Sequence, residues 1–273
     1  MIRVGAVGFL NARPLVHGLD AQPVLTLRLD VPSVCADLLH AGHIDVGLVP
    51  AIELLRGPVT YDVVPGLAIG CRGAVNSVAI FTRVPIDRVR RLALDVSSRS
   101  SVGLARVLCR QQFDIDPVLV DAAPDLAAML DFAEAALLIG DPALQAPWQA
   151  LGAEKIDLGE AWQTLTGLPF VFAVWAAQPG VLSSSVVSVL QEACRAGQAA
   201  IPAIAAAAAG DDVARVPLLV SYLRDNIRYE LDDAALRGLG YYLALAAADG
   251  LAPERPEVLR RLSMLHAPAG LGR

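Results

Sequence analysis

Four short segments of this 273-residue sequence place polar side chains in loops that follow predicted strands. The first is Gly8-Phe9-Leu10-Asn11-Ala12-Arg13-Pro14. Asn11 could donate to a ligand carboxylate or hydroxyl, or could simply cap the helix that follows, a common job for Asn. The second is Gly73-Ala74-Val75-Asn76-Ser77-Val78. No histidine stands near Ser77 to activate it as a nucleophile, so hydrogen bonding to a ligand is the chemistry it offers. The third, Asp95-Val96-Ser97-Ser98-Arg99-Ser100-Ser101, is the most specific on physical grounds. Free backbone N–H groups at a helix start, several hydroxyls and a guanidinium fork together suit an anion. Redundant helix capping is the plainer reading of the same serines. The fourth is Leu138-Ile139-Gly140-Asp141-Pro142, where Gly140 would let a ligand approach the backbone closely and Asp141 is an N-cap or a ligand contact.

Other chemistries find little support. His40-x-x-His43 has a metal-like spacing, but Gly42 interrupts the helix that would align the pair. His17 is kept as a reserve acid or base. Cys35, Cys71, Cys109 and Cys194 are far apart and read as reduced, buried thiols. No dinucleotide-binding or phosphate-loop motif and no paired metal carboxylates occur, so neither metal nor organic cofactor is expected. The formal net charge is −6 and Lys155 is the only lysine. Only Arg88, Arg90 and Arg91 cluster, so nucleic acid is not an expected partner. Mean hydropathy is +0.51, yet every apolar run is shorter than the roughly 20 residues that span a bilayer. Met1 leads directly into a strand, with no basic or long apolar leader, and a cytoplasmic location is expected.

These segments need a scaffold, and the chain alternates short strands and helices. Strands are predicted at Ile2–Val7, Leu25–Leu29, Asp45–Val49, Val63–Ile69 and Ser77–Thr82, with helices between, which suggests a parallel sheet covered on both faces. The rhythm restarts at Leu92–Asp95, Pro117–Val120 and Ala136–Ile139, and an apolar strand follows at Phe170–Trp175. From Ser183 the chain reads as helical: Ser183–Ala209, Val213–Asn226, Asp232–Ala248 and Glu257–Leu265. The expected fold is therefore α/β, with two lobes joined by two crossings and a helical C-terminal tail. Residues 1–80 with 176–273 form lobe I and residues 81–175 form lobe II. The crossings are placed near Ser77–Thr82 and Phe170–Trp175, and a ligand cleft is expected between the lobes.

Five motifs in order resemble those of the MqnA family, the menaquinone-biosynthesis dehydratases of the futalosine route. They are Gly8-Phe9-Leu10-Asn11-Ala12-Arg13-Pro14-Leu15, Asp45-Val46-Gly47-Leu48-Val49-Pro50, Ser97-Ser98-Arg99-Ser100-Ser101, Leu138-Ile139-Gly140-Asp141-Pro142-Ala143-Leu144 and Thr166-Gly167-Leu168-Pro169-Phe170-Val171-Phe172-Ala173. The resemblance spans about residues 2–176; the tail is family-like only in length and type. It implies a periplasmic-binding-protein type II fold and a lyase, chorismate dehydratase, giving 3-[(1-carboxyvinyl)oxy]benzoate and water without a cofactor. The family's substrate-contacting Asn and Ser fall on Asn11 and Ser77. Ser98, Arg99, Ser100 and Ser101, with Gly140, Asp141 and Phe170, form the implied substrate-binding set. The partner implied is a small dianion, with neither nucleic acid nor membrane, and homo-oligomerisation is left open. A solute-binding protein for a small carboxylate and the later naphthoate-forming enzyme of the same pathway are the rival readings.

Overall fold

The computed structural model describes residues 1–265. Its strands are β1 (Ile2–Val7), β2 (Leu25–Asp30), β3 (Val46–Pro50), β4 (Asp62–Cys71) and β5 (Val78–Thr82), then β6 (Arg91–Asp95), β7 (Val118–Ala122), β8 (Ala135–Ile139), β9 (Glu154–Asp157) and β10 (Phe170–Ala177). They form two five-stranded sheets, ordered β2-β1-β3-β10-β4 and β7-β6-β8-β5-β9. In the first sheet β1 runs parallel to β2 and β3, and β10 runs antiparallel to β3 and β4. In the second, β6 is parallel to β7 and β8, while β5 is antiparallel to β8 and β9.

This corrects the expected all-parallel sheets. Each sheet receives one strand fed in from the other, and that strand enters from the opposite end. Strand β5 joins the second sheet and β10 the first. The chain therefore passes between sheets at residues 72–77 and 167–169, ahead of the strands where the sequence reading put the crossings. Strands β3, β5, β8 and β10 are buried along their whole length. A strand covered on both faces has a continuous apolar run, and such a run carries no sign of which sheet it will join.

The helices are α1 (Pro32–His40), α2 (Glu53–Arg56), α3 (Arg99–Gln111), α4 (Leu126–Leu130), α5 (Gly140–Gln145), α6 (Leu158–Thr166), α7 (Ser184–Ala199), α8 (Ile201–Ala209), α9 (Val216–Ser221), α10 (Asp233–Ala248) and α11 (Pro256–Met264). The single long helix expected over Ser183–Ala209 breaks at Ala200, because Pro202 has no N–H to continue the ladder. Helix α9 runs on into a π-helical turn, Tyr222–Asn226. The tail returns to the first sheet, where α10 packs on β10 and α7 on the 3-10 segment Leu10–Val16. The approach of α7 is so close that a side chain at Gly197 would strike the Pro14 carbonyl. All four cysteines are buried and unpaired, and burial pushes the Cys35 thiol up to about 12. Among the described residues no helix is long and apolar enough to cross a membrane.

Candidate functional site

The loop after β1, the crossing at 72–77, the start of α3, the end of β8 and the middle of β10 converge on one small cavity of about 50 Å³. Phe9, Asn11, Ser77, Ser98, Ser101, Gly140 and Phe172 are on its wall. Among the described residues the wall carries amide and hydroxyl groups and no Asp, Glu, His, Lys or Arg. Its volume is far below the roughly 300–1,000 Å³ usual for a site that holds a metabolite.

Asn11 does not cap the 3-10 segment, whose N-cap position is Phe9 with no side-chain bond. Its Oδ1 is buried and unpartnered, and its side chain reaches the Tyr222 hydroxyl. Ser77, fully buried, lies at the end of the crossing loop. Its carbonyl accepts the Gly140 N–H at 2.7 Å, and its Oγ accepts the Tyr222 hydroxyl at 2.8 Å. Burial pushes the Tyr222 phenol well above its ordinary range, against the bonds from Ser77 and Asn11 that lower it. The loop itself is tightly held. The Asp157 carboxylate accepts the N–H groups of Val75 at 3.0 Å and Asn76 at 2.6 Å, and the Lys155 ammonium donates to the Asn76 carbonyl at 2.7 Å.

At the start of α3, Ser98 is the N-cap and accepts the Ser101 N–H at 3.3 Å. The hydroxyls of Ser98 and Ser101 bond each other at 2.9 Å. Both serines face the cavity, with the positive end of the helix behind them. Ser100 and Arg99, named with them from the sequence, are not on the wall. The Ser100 hydroxyl accepts the Ile52 N–H at 3.1 Å and its carbonyl accepts the Tyr242 hydroxyl at 2.9 Å. Arg99 turns away to Glu53 at 3.2 Å and Asp37 at 2.7 Å. Glu53 is buried, with Arg56 and His40 as its other neighbours, so Arg99 compensates an interior carboxylate instead of presenting its fork to a ligand. A helix places successive side chains 100° apart, which is why Ser98 and Ser101 share a face that Arg99 and Ser100 cannot share.

The fourth motif is split in two. Gly140 is on the wall, at φ +58°, and its missing side chain makes room for the Phe9 ring. Asp141 lies behind it in a separate surface groove of about 600 Å³, shared with Arg13 and His17. Its carboxylate accepts the Leu10 N–H at 3.0 Å, tying α5 of the second lobe to the first. Burial raises its carboxyl, while the Leu10 bond and Arg13 pull it back down. Phe170 is also absent from the wall. It is buried among Trp162, Phe172 and Tyr242, and Phe172, two residues along the same face of β10, takes the place at the cavity.

Sequence reasoning missed Phe9, Phe172 and Tyr222. The two phenylalanines stood inside recognised motifs, but position along a strand or loop decides which aromatic reaches the cavity. Tyr222 carried no signal at all, since it comes from a tail read only as packing helices.

A family model described as menaquinone biosynthesis matches residues 2–248. The chain is 29% identical over 264 residues to a chorismate dehydratase of Thermus thermophilus, covering 91% of this chain and 95% of that protein. A crystallised protein from Archaeoglobus fulgidus superposes with a TM-score of 0.72 at 18% identity, covering 92% of this chain and 98% of that one. The periplasmic aliphatic sulphonate binding protein of Escherichia coli does so with a TM-score of 0.66 at 16% identity, over 96% and 97% of the two chains. At these identities the two structures establish the fold, that of periplasmic binding proteins, and nothing about the ligand.

Proposed function

The chain belongs to the menaquinone-biosynthesis family, and we propose that its reaction is the dehydration of chorismate to 3-[(1-carboxyvinyl)oxy]benzoate in the cavity between the two sheets. The observation that carries this reading is the composition of the wall: neutral hydrogen-bond donors and, among the described residues, no side chain that could serve as a base. Such a site suits a substrate that brings its own base and its own driving force. Chorismate does both. Loss of the C3 proton and the C4 hydroxyl makes its ring aromatic, and its enolpyruvyl carboxylate lies close to C3.

In this account Ser98, Ser101 and the first N–H groups of α3 hold the ring carboxylate, where charge develops as an extended enediolate when the C3–H bond breaks. The enolpyruvyl carboxylate takes that proton and returns it to the departing hydroxyl, so that water leaves. Asn11 and Ser77 orient the substrate and donate to the leaving oxygen. Incubating the purified chain with chorismate tests the reading. A product lighter by one water with aromatic ring protons is expected; chorismate bound but recovered intact would make the chain a solute-binding protein.

Two further results are expected. Asp141→Asn keeps an oxygen to accept the Leu10 N–H, so turnover should stay within about tenfold of wild type, against the 10²–10⁴ lost with a true general base. Because burial raises the Asp141 pKa, the folded state favours the protonated form. The stability linked to this group is therefore present below the ordinary carboxylate pKa of about 3.9 and is lost as pH rises through the raised folded value. Asp141→Asn should remove that loss, which urea melts at pH values rising from about 4 would register. The small cavity leads to the second result. Ligand sites usually measure about 300–1,000 Å³, so the two lobes should open about the crossings at 72–77 and 167–169. Small-angle scattering of the ligand-free protein should give a larger radius of gyration than with product bound; equal values would assign the missing room to rotation of Phe9 and Phe172.

A further inference from the structure

We propose that Tyr222 is a positioning residue for this reaction: its hydroxyl fixes the Ser77 side chain so that the Ser77 proton points into the cavity. The inference rests on the chorismate reading and adds to it a group from the helical tail. A serine hydroxyl has one proton to give and two lone pairs to accept with. Tyr222 donates to the Ser77 oxygen at 2.8 Å and so occupies one lone pair. The Ser77 carbonyl is already taken by the Gly140 N–H. The proton that remains on Ser77 has the cavity before it, where the departing C4 oxygen of the substrate would accept it.

Tyr222 itself is not on the cavity wall. It is 2% exposed and touches Ser77 from behind, so it acts through Ser77 and not on the substrate. Burial raises its phenol, so it stays protonated and able to donate to Ser77. In the proposed reaction the proton that completes the water comes from substrate C3 by way of the enolpyruvyl carboxylate, and the C4–O bond breaks against a hydrogen bond from Ser77.

The surroundings support a built arrangement. Tyr222 opens the π-helical turn Tyr222–Asn226, a distortion found often at functional sites. From the same turn the Asn226 amide donates to the Ala74 carbonyl at 2.9 Å. With Asp157 and Lys155 holding Val75 and Asn76 from the second lobe, the loop that carries Ser77 is gripped on both sides. Asn76 is held there at φ +64°, a conformation uncommon for a residue other than glycine. Neighbouring backbone is thus fixed by one set of bonds and the Ser77 hydroxyl by another.

The test is kcat and KM for chorismate in the wild type, Tyr222→Phe, Ser77→Ala and the double variant, with thermal melting to confirm folding. Tyr222→Phe should lower kcat about tenfold, the scale of one hydrogen bond, and leave KM within about threefold. The double variant should be no slower than Ser77→Ala alone, because the phenol acts only through the serine. Wild-type kcat in Tyr222→Phe, or losses that multiply in the double variant, would overturn the proposal. If Tyr222→Phe does not fold, 3-fluorotyrosine at position 222 keeps ring and hydroxyl while strengthening the donor. A changed kcat at constant KM then supports the role, and an unchanged kcat removes it. A wild-type chain inert towards chorismate refutes the functional reading, and this role with it. That result is distinct from an active wild type matched by its Tyr222→Phe variant.

Discussion

Gly140→Ala is expected to abolish chorismate turnover while leaving a folded protein. Gly140 sits at φ +58°, where a side chain costs about 1–2 kcal/mol. An added Cβ would lie 2.7 Å from Phe9 Cδ2 and 2.9 Å from two further atoms of that ring, which is closer than such atoms approach. Gly140 opens α5 directly after β8, and its N–H is held by the Ser77 carbonyl, so the Phe9 ring is the part that yields. The open direction for it is a cavity of about 50 Å³, the space proposed for the reacting substrate. Displacing a reacting group by an ångström can cost about 10² in rate, and a loss of at least about that size in kcat/KM is expected. Phe9→Ala in the same background should recover part of the activity, since it removes the colliding ring and leaves only the backbone strain. Near-normal turnover in Gly140→Ala would show that Phe9 and Gly140 do not shape the reacting site.

Asn11→Leu should separate function from stability in opposite directions. The Asn11 Oδ1 is buried without a partner, and an unsatisfied buried polar atom costs about 1–3 kcal/mol. Leucine has nearly the same volume and no such atom, so the variant should melt at the same temperature as the wild type or higher. Its kcat should fall by about 10²–10³, the range for loss of a single donor aimed at developing charge. A residue kept for packing would give the reverse: a lower melting temperature with activity preserved per folded molecule.

Much of this architecture was legible before any coordinates. The runs Ile2–Val7, Asp45–Val49 and Ala136–Ile139 read as strands, and each overlaps an observed one; the turn chemistry between them gave the α/β alternation. Strand β9 was missed because Glu154-Lys155-Ile156-Asp157 has one apolar residue in four and lies at a sheet edge. The sheet membership of β5 and β10 was misplaced for the opposite reason. Both are buried throughout and almost wholly apolar, and hydrophobicity alone does not say in which sheet such a strand is buried.

At the cavity, the loops named from the sequence converge, but only some of their named side chains line it. Ser98 and Ser101 reach the cavity and Ser100 does not, a difference set by helical phase once the first residue of α3 is known. Arg99 looked like an anion fork because its partner, the buried Glu53, is 46 residues away. Tyr222 meets Ser77 across 145 residues, a distance over which neither spacing nor periodicity carries information. Such long-range pairs belong to the packing of the tail on the first sheet.

The most direct test compares the wild-type chain on chorismate and on an analogue lacking only the enolpyruvyl carboxylate, with the dehydrated product followed by mass. The account predicts that chorismate loses water to give the aromatic ether, while the analogue binds and is recovered intact, because the proton acceptor has been taken from the substrate. Chorismate recovered unchanged, or the analogue dehydrated at a normal rate, would contradict it: the first by removing the reaction, the second by placing the base in the protein.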